Sequence, residues 1–287
     1  MIYTVRDSDS GIRLDHYLAS RMPSLSRSFI SQLIGKGLVT VGNEPALKSG
    51  QIIRSGEAIN VMYDPEGQKD IPQPEIEILY EDDDCVVINK PSGLLSHSKG
   101  ELSYEPTVAS WLVPKLNGLA GNRAGIVHRL DRGTSGVMIA AKNADGLKWL
   151  QKQFSSRRVK KTYVAIVRGR PKQDEAIIDM PIQRNPKKPQ TFRVHIAGKE
   201  ALTQYKLLEC SSLYTMIELY PKTGRTHQIR VHLAEIGCPL VGDTLYGGVK
   251  ADRLMLHASR LEITLPDRTR RVFEAPAPKE FDLWMNR

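Results

Sequence analysis

Apolar positions change their period near residue 64, and that change divides the chain. Before it they recur at helical spacing: Leu14 and Leu18 stand one helical turn apart, and Phe29, Ile30, Leu33 and Ile34 make a single stripe. The pattern predicts a short helix over 12–21 that stops before Pro23. A second helix follows Ser26, whose hydroxyl suits an N-cap, and ends at Gly37. The runs 38–41 and 59–61, with the Gly42-Asn43 turn, read as short strands, so a compact helix-helix-strand unit closes at residue 64. Residues 65–74 are polar and rich in Pro, which reads as a linker.

From residue 75 onward, strands punctuated by turns dominate. Strands are predicted over 76–80, 85–89, 161–167, 201–208, 213–219 and 260–265, the last placing Leu261, Ile263 and Leu265 on one side. Helices are predicted over 107–112, over 143–154 with Asn143 as cap and Leu147, Leu150 and Phe154 on one face, and after Thr226. That last helix buries Ile229, Leu233 and Ile236 and ends at Gly237. The fold class expected is α+β, a mixed and largely antiparallel sheet domain over 75–287 preceded by the small unit.

Composition narrows this picture. No apolar run among the 287 residues approaches the roughly 20 a membrane span needs, and the N-terminus lacks a basic-then-apolar signal pattern, so a cytoplasmic protein is expected. Cys85, Cys210 and Cys238 are odd in number and far apart, which argues against a disulfide framework or a zinc site and for structural roles. The formal net charge is +9, and residues 1–65 hold seven Lys or Arg against six Asp or Glu, so the surplus lies in the larger part. Its clustering near 157–161, 187–193, 222–230 and 268–271 suits a phosphate-binding surface.

Candidate chemistry concentrates in three segments. In HRLDRGTSG, 128–136, Asp131 lies between Arg129 and Arg132 in a loop flanked by apolar runs, 125–127 and 137–141, that both read as buried strands. Taken alone, an Asp among Gly and Ser is more often a turn former than a catalytic group. In the 223–237 segment, Arg225 and Arg230 lie off the buried stripe near a helix start, and Arg230 could reach a carboxylate brought up from another loop. His227 and His232 are five residues apart, unlike a helical metal pair, and His128, Asp131 and Ser135 are too crowded in sequence for a hydrolytic triad. In KKTYVAIVRG, 160–169, Tyr163 shares a strand face with Ala165 and Val167, either as a stacking platform for a base or as a core tyrosine.

In order along the chain, HRLDRGTSGVMIAAK, KKTYVAIVRG, GKEALTQYKLLE, TGRTHQIRVHLAEIGCPLVGDTLYGG and LMLHASRLEI resemble the motifs of the large-subunit-rRNA class of RNA pseudouridine synthases, which includes the ribosomal large-subunit enzymes A and D. The stretch RLDHYLASRMPSLSRSFISQLIGKGLVTVGN, with IRSGEAINV after it, resembles the alpha-L type RNA-binding module. The resemblance implies isomerisation of uridine in RNA to pseudouridine, without cofactor or metal. It implies Asp131 as the catalytic carboxylate, Tyr163 stacked on the target base and placed for proton transfer, Arg230 paired with the carboxylate, and Leu256 on the pocket floor. Arg129 is expected to fill the space left by a flipped uridine, and Arg225, with Arg27 and Lys36 of the module, to contact RNA. Ser96, where the family more often has an apolar residue, and Cys238, where it has His, depart from the pattern away from these positions and bear on substrate choice. The expected partner is RNA, ribosomal before transfer RNA, and the expected state a monomer. A non-catalytic ribosome-assembly factor and a nucleoside hydrolase are the rival readings, and the intact motifs and the RNA module weigh against each.

Overall fold

A computed structural model describes residues 1–23, 25–63, 73–98, 105–119 and 123–286. They fall into two compact units, one within 1–63 and one from 73 onward. Most of the expected linker lies outside the described residues.

The first unit contains β1 (Ile2–Thr4), α1 (Leu14–Arg21), α2 (Arg27–Gly35), β2 (Val39–Val41), β3 (Glu44–Pro45) and β4 (Ala58–Val61), with its antiparallel strands in the order β1-β4-β2-β3. The Phe29 amide donates to Ser26 Oγ at 3.2 Å, and Gly37 takes a left-handed φ of 71° just past α2, so both expected ends are present. Leu14, Leu18, Phe29, Ile30, Leu33 and Ile34 are buried against Val39, Ile59 and Val61.

Asp15 is nearly fully buried at the start of α1 and accepts from Arg13 Nε and Nη2, each at 3.0 Å, and from Arg27 Nη2 at 3.2 Å. The hydrogen bonds from Arg13 lead the causes that hold its carboxyl down to about 2. Because the folded value is depressed, this stabilisation is present above the ordinary carboxylate range and is lost as pH falls through about 2. The protection of α1 and α2 against hydrogen exchange, taken relative to the intrinsic amide rate at each pH, is expected to fall over that window. In Asp15→Asn the window should vanish and protection at neutral pH should fall by on the order of 1 kcal/mol, both guanidinium partners being half-exposed.

The second unit is built on a nine-stranded sheet. Its elements are β5 (Glu77–Glu81), β6 (Cys85–Lys90), α3 (Val108–Leu112), β7 (Ser135–Ala141), α4 (Ala144–Ser155), β8 (Lys160–Arg168), β9 (Glu175–Asp179), β10 (Ile182–Arg184), β11 (Phe192–Val194), β12 (Leu202–Cys210), β13 (Tyr214–Pro221), α5 (Gln228–Glu235), β14 (Leu256–Thr264), β15 (Arg270–Glu274) and α6 (Glu280–Met285). The order across the sheet is β5-β6-β7-β14-β8-β13-β12-β9, with β15 also on β14 and β10-β11 a separate hairpin. Every pairing is antiparallel except β7 with β14, so the sheet is mixed and largely antiparallel as expected.

Alternation along the strands supplies two layers of core. Val87, Val137 and Ile139 pack with Leu150 of α4, while their neighbours Val86, Ile88 and Met138 pack with Val108 and Leu112 of α3. In the other half, Ala165 and Val167 meet Ile229 and Leu233 of α5, and Ile166 meets Phe281 and Trp284 of α6. The parallel pair is drawn close: Gly136, at φ 112°, has no room for a Cβ, which would lie 2.2 Å from the Ala258 carbonyl oxygen. His257 Nε2 faces the Ala275 carbonyl, an acceptor only, so its Nδ1 accepts from Ser135 Oγ at 2.8 Å and joins the same two strands.

Two expectations fail locally. Residues 125–127 form no strand; Gly125 has φ 77°, its Cβ position is blocked by the Ala141 carbonyl, and Ile126 makes only an isolated bridge to Ala140. The helix at 228 is not capped by Thr226, because His227 occupies the N-cap in a left-handed conformation with no side-chain cap bond. Of the cysteines, Cys85 and Cys238 are buried as structural residues should be, whereas Cys210 is exposed at the end of β12.

Candidate active site

A cavity of about 480 Å³ opens between α4, α5 and the face of β8. Asp131, Tyr163, Arg230 and Leu256 all line it, as do Arg129 and Arg225. Asp131 is the single acid among its described lining residues, against six Lys or Arg.

Asp131 sits in a turn, its carbonyl accepting from the Thr134 amide at 3.1 Å, so the turn-forming reading and the functional one are both true of it. The turn is fastened to the segment after β6. Ser92 Oγ donates to the Gly133 carbonyl at 2.8 Å, and the Gly93 amide to the Arg132 carbonyl at 2.8 Å. Ser96 Oγ donates to the Leu130 carbonyl at 2.7 Å and accepts from the Leu130 amide at 3.1 Å. Lys90, fully buried, directs its ammonium at the carbonyls of Pro91, Leu94 and Arg132, and burial pushes it down to about 7. Ser96 therefore bonds Leu130, the residue next to Asp131, and is not hydrogen-bonded to Asp131 itself. Cys238 does lie away from it, in the core beneath α5.

His128 is an internal support. Its Nε2 accepts from the Ile139 amide at 3.1 Å, its ring stacks on Phe154 at 4.5 Å, and burial lowers it to about 3, so it is neutral. Arg129 is exposed at the rim. Arg132 forms a forked ion pair with Glu105.

Tyr163 projects from β8 into the cavity near Asp131. Burial first and the Asp131 charge second raise its phenol well above the ordinary value, so the hydroxyl keeps its proton. Leu256 stands opposite Ala165 on the neighbouring strand.

The guanidinium of Arg230 is arranged differently from expectation. Its fork goes to Asp243, with Nε to Oδ2 and Nη2 to Oδ1 both at 2.7 Å, and its Nη1 stands 3.7 Å from Asp131 Oδ2. Asp243 is almost wholly buried at 1% side-chain exposure, against 18% for Asp131. The buried carboxylate takes the two short bonds and leaves Asp131 with one unsaturated approach to a cation. Tyr246 stacks on Arg230 at 5.0 Å, and its hydroxyl accepts from the Phe192 amide at 2.9 Å and lies 2.8 Å from His227 Nδ1. A left-handed His227 beside these groups is the kind of backbone strain that gathers at functional sites.

Gln228, buried at the start of α5, spends its amide fully. Nε2 donates to the Leu202 carbonyl and Thr203 Oγ1, and Oε1 accepts from Thr223 Oγ1 and the Arg225 amide. It fixes the 223–225 loop at the cavity wall, with Arg225 Nε donating to the Glu200 carbonyl at 2.9 Å. His232 Nε2 donates to the Met180 carbonyl and Nδ1 meets Thr203 Oγ1, so its ring nitrogens are spent inside the fold. No metal-binding cluster of His, Cys, Asp and Glu occurs among the described residues.

Comparison with known proteins decides the assignment. The family model for RNA pseudouridylate synthase matches residues 84–235, more than half of the chain and the span that carries Asp131, Tyr163 and Arg230. The chain belongs to the RNA pseudouridylate synthase family. An S4 domain model matches residues 12–59 of this synthase. A ribosomal large subunit pseudouridine synthase D of Borreliella burgdorferi is 36% identical over 99% of the chain and 91% of the relative. An uncharacterized RNA pseudouridine synthase of Aquifex aeolicus is 42% identical over 82% of the chain and 77% of its own length. Among solved structures, human RNA pseudouridylate synthase domain containing 1 superposes with a TM-score of 0.61 at 29% identity, covering 72% of this chain and 85% of the human one. The synthase is thus an isomerase that acts on RNA. No helix among its described residues is long and apolar enough to cross a membrane.

The site contains residues that sequence reasoning missed. Asp243, Tyr246 and Gln228 surround Arg230 and its helix, yet Asp243 lies among Gly242, Gly247 and Gly248 in a stretch that reads as turns. The available signal was a carboxylate in a short loop flanked by apolar residues, as for Asp131, here following Gly242.

Proposed function

We propose that this synthase isomerises uridines of large-subunit ribosomal RNA and that Asp131 is its catalytic carboxylate. The observation that carries the proposal is the isolation of Asp131 as the one acid among the described residues lining a strongly basic cavity, with an arginine held 3.7 Å from it. Breaking the bond between N1 of uracil and C1′ leaves the sugar carbon electron-poor, and an ionised carboxylate stabilises it, attacks it, or removes a sugar proton. Arg230 stands beside Asp131 and leaves its oxygens free to meet the sugar. Tyr163 provides the wall on which the freed base turns, with its protonated hydroxyl as a donor, and Leu256 closes the floor and excludes water.

Arg129, at the rim, fills the gap left by the extruded nucleotide, and Arg225 meets the backbone. In the proposed division, residues 1–64 form the RNA-binding module, 65–74 the linker and 75–287 the catalytic domain. Lys36 is exposed at the end of α2 and suits a phosphate contact; Arg27 is half-exposed but shared with Asp15. The relatives named for the ribosomal large subunit support the substrate class. We read the protein as a cytoplasmic monomer.

Pseudouridine mapping of total RNA from cells with and without the gene tests this reading. Loss of one or more pseudouridines from large-subunit RNA is the expected result, restored by the wild-type gene. An unchanged ribosomal map with loss from transfer RNA would move the substrate, and no change in any RNA would leave the assembly-factor reading.

A further inference from the structure

We infer that Lys161 is a further catalytic residue, whose ammonium hydrogen-bonds a carbonyl oxygen of the uracil and stabilises the negative charge on the base once its bond to the sugar has broken. The inference rests on the reading of Asp131 given above.

Lys161 precedes Tyr163 by two positions on β8, so both side chains leave the same face of the strand about 7 Å apart, and both line the cavity that holds Asp131. Its ammonium has three donors and makes one long hydrogen bond, to the Thr223 carbonyl at 3.4 Å. No carboxylate forms an ion pair with it among the described residues. Of the other cations that line the cavity, Arg129 and Lys222 are exposed to solvent, and the remaining three are already engaged. Arg230 is forked onto Asp243, Arg225 donates to the Glu200 carbonyl, and Arg157 is paired with the Glu200 carboxylate. A buried charge with unspent donors is costly unless a ligand brings acceptors to it. A base stacked on Tyr163 brings two, its O2 and O4.

The chemistry asks for a cation there. When the bond from N1 to C1′ breaks, its electron pair stays with the base, and the charge spreads from N1 onto O2 and O4, while the electron-poor C1′ is met by the Asp131 carboxylate. When C5 bonds to C1′, the proton on C5 is lost and N1 takes one up, so the product is an isomer and Lys161 ends as it began. Its part is electrostatic and greatest between the two bonds, which is where such stabilisation accelerates a reaction. The titratable groups that face it are His128 from the catalytic loop, Arg157 after α4, and Lys222 and Arg225 after β13. Across the cavity stand Asp131, Tyr163, His227 and Arg230. Burial lowers the Lys161 ammonium to about 8, within reach of a pH profile.

The test is the dependence of kcat/KM on pH for the full-length enzyme acting on a large-subunit RNA transcript, with Lys161→Met and Lys161→Arg beside the wild type. The wild type is expected to lose activity through an alkaline limb at about 8. Lys161→Met should be slower by about 10²-fold on the neutral side, lack that limb, and meet the wild-type curve above it. Lys161→Arg should recover part of the rate and also lack the limb, since its charge persists. Wild-type kcat/KM in Lys161→Met, or a lower value with the limb unmoved, would overturn the inference. Should Lys161→Met fail to fold by circular dichroism, the presence or absence of the limb in Lys161→Arg decides. A wild type that forms no pseudouridine, or an Asp131→Asn enzyme as active as wild type, would instead overturn the reading of the site itself.

Discussion

Asp131→Asn is expected to lower single-turnover pseudouridine formation by at least about 10⁴-fold while RNA is still bound. Asn preserves the shape of the side chain but carries no charge to answer the electron-poor sugar carbon. The surroundings should survive the change, because Arg230 is held by its fork to Asp243 and the turn by Lys90, Ser92 and Ser96. With the cavity's cations proposed to meet the RNA backbone, removing the single acid among its described lining residues should leave binding equal or slightly tighter. A filter-binding assay beside a quantitative pseudouridine assay separates the two effects. Activity within roughly tenfold of wild type would end the carboxylate mechanism.

Asp243→Asn should act on the same chemistry from one position further back. At 1% exposure Asp243 neutralises a guanidinium that is itself only 13% exposed, so losing it leaves a buried, half-paired cation. A destabilisation of about 3 kcal/mol is expected, visible as a lower denaturation midpoint. Arg230, released from its fork, needs to close only about 1 Å of its 3.7 Å separation to bond Asp131 directly. A carboxylate bound in that way is a weaker partner for the sugar, so kcat should fall by about 10²-fold with little change in KM for RNA. An equal rise in KM would mean that Asp243 shapes the RNA-binding surface instead. Asp243→Glu, which keeps the charge at a longer reach, should recover part of the rate if orientation of Arg230 is what Asp243 supplies.

Much of this was legible before any coordinates. Period-two alternation put Tyr163 on one face of its strand with Ala165 and Val167, and the three share one core region in the structure. Cap residues such as Ser26 and Asn143 announced helix starts because their side-chain oxygens satisfy amides that a helix leaves free. Arg230 was visible as a polar position on a buried helix, but not the identity of its closest partner. Pairing in three dimensions depends on which carboxylate is buried, and the burial of Asp243, in a turn whose backbone bonds run to Leu240, Tyr246 and Gly248, does not register in the apolar pattern.

The unrecognised elements share a physical trait. β15 reads Arg-Arg-Val-Phe-Glu and buries Phe273 alone, so its charges looked like a basic cluster rather than an edge strand. β10 and β11, three residues each, pair only with one another as strands and are too short for periodicity to register. The failed strand at 125–127 had suitable side chains but a backbone that Gly125 bends away. Ser96 was noticed as unusual, and only the fold shows that its hydroxyl replaces a missing backbone partner for Leu130.

The placement of β14 has a consequence for how the enzyme comes into being. It enters between β7 and β8, although β8 ends at Arg168 and β14 begins only at Leu256, and the serine-histidine bond it makes with β7 joins positions 122 apart. Until it is made, the strand that leads from Asp131 and the strand that bears Tyr163 have no common neighbour. A ribosome synthesising this chain would therefore release the acid and the aromatic wall long before it releases the strand that brings them together. Activity should arrive only once β14 has been made, and chains truncated before that strand should be inert however well their earlier parts fold.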